Sequence, residues 1–117
     1  ELHCEPADLK KTFDKDLMLS AVNNFIDNAV KASCEDSRIL LTANEQMLMV
    51  QDFGKGIPAE DIDKVTEAFY MVDKSRSRAN GSVGLGLALC RKIADLHGFS
   101  MKIESELGRG TRIIVKW

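Results

Sequence analysis

The chain has 117 residues, which is the length of one domain with one core. Apolar residues make up 44% and charged residues 29%, and 16 basic side chains against 18 acidic ones leave a net charge of -2. That balance excludes a protein built to coat nucleic acid or an anionic membrane. No apolar run approaches the ~18 to 20 residues needed to cross a bilayer, so no direct membrane contact is expected. The polar opening ELHCEPADLKK reads as neither signal peptide nor anchor. Cys4, Cys34 and Cys90 are far apart and form no C-x-x-C pair, which points away from a disulfide framework or zinc site and towards a reducing, cytoplasmic setting.

In chain order, Leu2–Cys4 and Lys10–Phe13 are predicted as short extended pieces broken by Pro6. Asp14 is placed to cap a helix, with Asp16 in its first turn at the positive end of the dipole. Met18, Val22, Phe25 and Ala29 recur at helical spacing, so residues 15–33 read as one amphipathic helix. Two strands follow, 38–43 and 47–52, joined by Asn44-Glu45-Gln46. Pro58 starts a short acidic helix, where its missing N–H is not needed. Residues 70–83 lack apolar periodicity and read as a long loop, a length that points to function or disorder. A second helix is predicted from near Gly84 to His97, with Gly98 as its stop. The chain ends in a hairpin around Gly108-Arg109-Gly110, with Met101, Ile103 and Ser105 on one strand and Thr111, Ile113, Val115 and Trp117 on the other facing one way. Helices covering one face of a mixed, mainly antiparallel sheet of about five strands make a two-layer α+β sandwich, with residues 1–117 as a single domain.

Three clusters could carry chemistry. Asn24, Asn28 and Lys31 lie at i, i+4 and i+7 of the first helix, one stripe about a sixth of the circumference wide. Asn is a poor helix former. The stripe is either a solvated, amide-rich face or a polar wall for a metal-bound phosphate, since an amide oxygen suits the oxygen shell of magnesium and a lysine meets phosphate charge. Asp52-Phe53-Gly54-Lys55-Gly56-Ile57 follows an apolar strand. It is either a strand-ending turn or a site where glycines admit a flat ligand and the carboxylate accepts from the amino group of adenine. Gly81 to Ala88 (GSVGLGLA) opens the second helix, and free N–H groups there would bind an anion. Capping and close packing explain the same glycines. The spacing is neither a Rossmann nor a P-loop pattern, and Lys74, Arg76 and Arg78 just upstream favour a phosphate. Asp-Phe-Gly alone suggests a eukaryotic-type protein kinase, but the chain lacks the H-R-D and A-P-E segments and is too short for two lobes. His97 near a helix end and Cys90 among core positions read as structural.

Taken in order, Asn24-Phe-Ile-Asp-Asn28-Ala-Val-Lys31, Asp52-Phe-Gly54-Lys-Gly56-Ile57, Phe69-Tyr70 followed by VDKSRSR, and Gly84-Leu-Gly86-Leu resemble the N, G1, F and G2 boxes of the ATP-binding catalytic domain of bacterial sensor histidine kinases. Gly108-Arg-Gly110-Thr111 resembles that family's closing G-x-G-T turn, so the likeness covers essentially the whole chain. The resemblance implies the ATP-binding sandwich of the Bergerat type, shared by gyrase, heat-shock chaperone, mismatch-repair and histidine-kinase proteins. It implies ATP and Mg²⁺ as cofactors, with Asn28 on the metal and Asn24 and Lys31 near the phosphates. Asp52 would take the adenine amino group, Gly54, Gly56 and Ile57 would shape the base pocket, and Thr111 would be a further ATP-binding residue. Tyr70 to Val83 would form a lid carrying Lys74 and Arg76, with Gly84, Leu85 and Gly86 at the phosphate chain.

The implied reaction is γ-phosphoryl transfer to a histidine, catalysed by positioning and charge neutralisation. Asn24, Lys31, Lys74 and Arg76 are the expected catalytic residues. Two positions depart from the family: Met71 stands where many members carry a phosphate-reaching Arg, and Val83 where Thr or Ser often precedes Gly-Leu-Gly-Leu. Both bear on transfer more than on nucleotide binding, and leave those contacts to Lys74, Arg76 or Ser82. The hydrolytic relatives typically place Glu where this chain has Asn24, and an amide is no general base at neutral pH. The family's acceptor is a His followed by Glu or Asp on a helical dimerisation domain; His3 precedes Cys4 and His97 precedes Gly98. The expected partners are therefore a separate dimerisation and phosphoacceptor domain and, downstream, a response regulator receiver domain.

Overall fold

The computed structural model describes residues 2–4, 13–67 and 86–117. The predicted loop 70–83 and the extended piece at 10–12 lie outside these; Phe13 is in a bend ahead of Asp14, not in a strand. The elements are β1 (Leu2–Cys4), α1 (Lys15–Ala32), β2 (Ile39–Ala43), β3 (Met47–Asp52), a 3₁₀ turn at Ala59–Asp61, α2 (Gly86–Leu96), β4 (Ser100–Glu106) and β5 (Gly110–Lys116). The acidic helix expected after Pro58 is thus one 3₁₀ turn.

Both helices end on local chemistry. The Asp14 carboxylate accepts from the Leu17 amide at 3.0 Å and closes the start of α1. At the far end the Ser33 amide and hydroxyl both donate to the Ala29 carbonyl, at 3.0 and 2.6 Å. Gly98 takes φ +72° after α2, which lets the amides of Gly98 and Phe99 turn back onto the carbonyls of Asp95 (3.1 Å) and Ala94 (2.9 Å). This paired closure satisfies carbonyls that the helix leaves open.

The sheet runs β1-β2-β3-β5-β4, with β1 parallel to β2 and every other pair antiparallel. The last hairpin therefore inserts its second strand between β3 and the edge strand β4. The sequence of each strand explains that order: β5 carries the unbroken apolar run Ile113-Ile114-Val115, all buried, whereas β4 alternates exposed and half-buried residues, as an edge strand does. α1 and α2 cover one face. Ala21, Phe25 and Ala29 of α1 and Cys90 and Ile93 of α2 pack on Leu48, Val50, Ile113 and Val115, with Phe25 1% exposed at the centre.

The two helices run antiparallel and touch at three levels. The Asp14 amide donates to His97 Nε2 at 2.9 Å, Cys90 Sγ approaches the Ala21 carbonyl at 3.5 Å, and Gly86 lies against Asn24. Because Nε2 accepts, the ring hydrogen is on Nδ1, which donates to the Ile93 carbonyl at 2.8 Å. His97 also stacks on Phe99, and Phe99 meets Trp117 edge-on. Burial pushes the Cys90 thiol up to about 12, so it stays protonated and serves as core.

Candidate functional site

Three elements meet where β3 ends. The helix-side face of the sheet carries Val50 and Asp52 on β3 opposite Ile113 and Thr111 on β5, so the apolar row gives way to an acid and a hydroxyl at the strand end. Asp52 is 6% exposed. Its Oδ1 accepts from the Gly54 amide at 2.9 Å, an Asx-type turn that folds the chain back as the strand stops. Burial pushes the Asp52 carboxyl above its ordinary value, and the amides of Gly54 and Thr111 pull it part of the way back. A buried carboxyl with backbone donors on one side and no cation from the described residues among the causes of its shift is the kind of group a ligand donor completes.

The loop after Asp52 is clamped on both sides. The Lys55 amide donates to the Ala32 carbonyl at 3.1 Å, and the Gly108 amide donates to the Lys55 carbonyl at 2.8 Å. Gly54 runs so close under the end of α1 that a Cβ there would overlap the Ala32 carbonyl and sit 3.0 Å from the Ser33 nitrogen. Gly56 has φ +74° and faces the Glu106 carbonyl, so both its backbone angle and its surroundings require glycine. Ile57 is fixed through its amide, which donates to Ser105 Oγ at 2.8 Å.

The loop thus crosses the end of α1 that bears the amide stripe. Asn24 and Asn28 are half-buried on that helix and Lys31 is exposed. The Asn24 amide nitrogen donates to the Ser20 carbonyl at 3.0 Å, and its Oδ1 faces Gly86 on α2, where a Cβ would lie 3.2 Å away. The structure therefore brings Asp52, Gly54, Gly56, Ile57 and Thr111 together at the strand ends, and sets Asn24, midway along α1, against Gly86 at the start of α2. Asn28 and Lys31 lie between them along α1. Tyr70, Lys74, Arg76, Gly84 and Leu85 lie outside the described residues.

Magnesium fits the chemistry of this wall. Asn28 offers a neutral amide oxygen on a half-buried stripe, a hard donor for an ion that draws its remaining ligands from phosphate and water. Among the described residues no cluster of His, Cys, Asp and Glu could hold a metal by protein ligands alone, and no helix is long and apolar enough to cross a membrane. A groove of about 620 Å³ also opens at the strand ends, and its lining alternates between the two faces of the sheet: Asp52, Ser105 and Thr111 from the helix side, Gln51, Glu104 and Arg112 from the other.

One residue of the site is not singled out by the sequence reading. In the sequence Ser105 is only one of the alternating residues of the last hairpin, yet its hydroxyl bonds with Ile57, Gly110 and Thr111. The signal was a polar residue in an inward row that otherwise reads Met101 and Ile103.

The chain belongs to the family described as histidine kinase-, DNA gyrase B- and HSP90-like ATPase, whose model matches residues 13–117. It is 38% identical over 109 residues to the sensor protein SrrB of Staphylococcus aureus (strain MRSA252), covering 90% of this chain but 19% of the relative. The chain therefore spans about a fifth of the length of that curated relative. Among solved structures it resembles the catalytic domain of the histidine kinase ThkA in a nucleotide-free form, with a TM-score of 0.83, 26% identity, and coverage of 98% of this chain and 74% of that one. The mycobacterial sensor histidine kinase MprB shares the fold at a TM-score of 0.75 and 23% identity, over 99% of this chain and 79% of that one. The α+β sandwich read from the sequence is thus the fold of histidine kinase catalytic domains.

Proposed function

We propose that this chain is the ATP-binding catalytic domain of a two-component sensor histidine kinase, a single domain that presents the γ-phosphoryl group of ATP to a histidine on a separate helical dimerisation domain. The carrying observation is the buried Asp52 at the end of β3, hydrogen-bonded to the Gly54 amide and opposite Thr111, beneath a helix whose Asn24 reaches the first turn of α2. Asp52 accepts from the adenine amino group, and Gly54, Gly56, Ile57 and Thr111 shape the space for the base. Asn24, Lys31 and the start of α2 at Gly86 lie along the phosphates. When bound, magnesium on Asn28 would neutralise phosphate charge and fix the triphosphate. Tyr70, Lys74, Arg76, Gly84 and Leu85 enter this proposal on their sequence pattern.

Catalysis by these residues is positioning: the Asn24 and Asn28 amides cannot take a proton from an attacking water, Lys31 meets phosphate charge, and the attacking group is the acceptor histidine. The relatives being sensor proteins and histidine kinases supports that acceptor, a cytoplasmic setting for this domain, and a receiver domain as the onward phosphate carrier. The test is to incubate the chain with ATP and magnesium and the purified acceptor-helix domain of its own parent protein. Acid-labile, base-stable phosphate on that domain is the expected result; ATP hydrolysis with no labelled acceptor would overturn it.

A further inference from the structure

The Ser105 hydroxyl sits at a junction of three polar groups. It accepts from the Ile57 amide at 2.8 Å, lies 2.9 Å from the Gly110 carbonyl, and lies 2.8 Å from the Thr111 hydroxyl. A serine hydroxyl has one hydrogen and two lone pairs. The Ile57 amide can only donate and the Gly110 carbonyl can only accept. All three contacts are hydrogen bonds in one arrangement alone: Ser105 donates to Gly110, and Thr111 donates to Ser105. The reverse arrangement leaves the Gly110 contact without a hydrogen, which is costly at a half-buried site. The Thr111 hydrogen is thereby committed to Ser105, and what Thr111 Oγ1 presents elsewhere is lone pairs.

Thr111 is 9% exposed and stands directly across from Asp52 on the same face of the sheet. Resting on the nucleotide reading above, we infer that Ser105 is a positioning residue for base selectivity, turning the Asp52–Thr111 pair into an edge that only accepts. Such an edge accepts directly from an amino group at the 6-position of a purine and opposes a carbonyl there. Selectivity of the base pocket is set by a hydroxyl that does not itself face the base.

The experiment compares binding of ATP and inosine triphosphate, which exchange a 6-amino group for a carbonyl and a bare N1 for N1–H, to the wild-type chain, Ser105→Ala and Ser105→Thr, so that the change in their ratio between variants, and not the ratio itself, reports on Thr111. In Ser105→Ala the Thr111 hydroxyl is released to donate, and the ATP-over-inosine preference falls about tenfold, the size of one hydrogen bond gained by the wrong base. Ser105→Thr keeps a hydroxyl in place and retains the preference. An equal loss of both nucleotides in Ser105→Ala, with the ratio unchanged, would make Ser105 a purely structural contact and overturn the inference while leaving ATP binding standing. Wild-type protein that binds neither nucleotide overturns the nucleotide reading itself. A second readout needs neither ligand nor variant: the Thr111 hydroxyl proton in the free protein should give a slowly exchanging resonance close to Ser105, and rapid exchange with water would refute the assigned direction.

Discussion

Replacing Asp52 with Asn separates what this residue does for a ligand from what it costs the fold. The carboxyl is almost fully buried, and burial raises its pKa against the pull of the Gly54 and Thr111 amides. A carboxyl whose folded pKa lies above its unfolded value binds more protons in the native state, so its contribution to stability falls as pH rises through that window and remains unfavourable above it. Asp52→Asn removes the buried charge, so the ligand-free variant should melt no lower than wild type at neutral pH, and its advantage should vanish in acid where the wild-type carboxyl is protonated. The variant also puts an amide that can donate where a base amino group must be accepted. Loss of one hydrogen bond to a charged group is worth about 1.5 to 3 kcal/mol, or roughly 10- to 150-fold in ATP affinity. Calorimetry with ATP and magnesium, paired with melting curves from mildly acid to neutral pH, reads both effects. Unchanged affinity would refute the base-pocket assignment. A large drop in melting temperature of the ligand-free variant would instead make Asp52 a clamp for the 53–57 loop.

Asn28→Ala should leave the fold intact and make ATP affinity insensitive to magnesium, since a half-buried surface amide is lost rather than a core contact; a titration with and without the ion checks this, and a preserved magnesium effect would dismiss the metal role. Gly54→Ala should destabilise the chain by about 2 kcal/mol or more, because its new methyl meets the Ala32 carbonyl, which is backbone and cannot swing aside. A fall of about 8 °C in melting temperature is the corresponding reading for a chain of this size, and a neutral effect would mean the loop is not held under α1.

What the sequence made legible was local. Asp14 as a cap, the apolar repeat through Phe25 and Ala29, and the stop at Gly98 are each decided within a few residues, and the structure has them in place. Boundaries slipped by a residue: β2 begins at Ile39, and β5 ends at Lys116 with Trp117 donating its indole N–H to the Glu45 carbonyl instead of extending the strand. The site was legible as residue types, because an acid at a strand end and amides on a helix border are unusual where they stand. The parts that stayed hidden depend on contacts between distant positions. Ser105 reaches Ile57 across 48 residues and His97 reaches Asp14 across 83, and nothing in the neighbourhood of either residue announces its partner. The interior place of β5, between β3 and β4, was hidden as well, although the buried run Ile113-Ile114-Val115 carried that information.

The most direct measurement is a crystal structure of the chain grown with ATP and magnesium. The adenine amino group should lie within hydrogen-bonding distance of the Asp52 carboxylate, with the triphosphate running along Asn28 and Asn24 towards Gly86. A nucleotide bound elsewhere, or strand ends around Asp52 and Thr111 closed by the protein's own side chains, would contradict it.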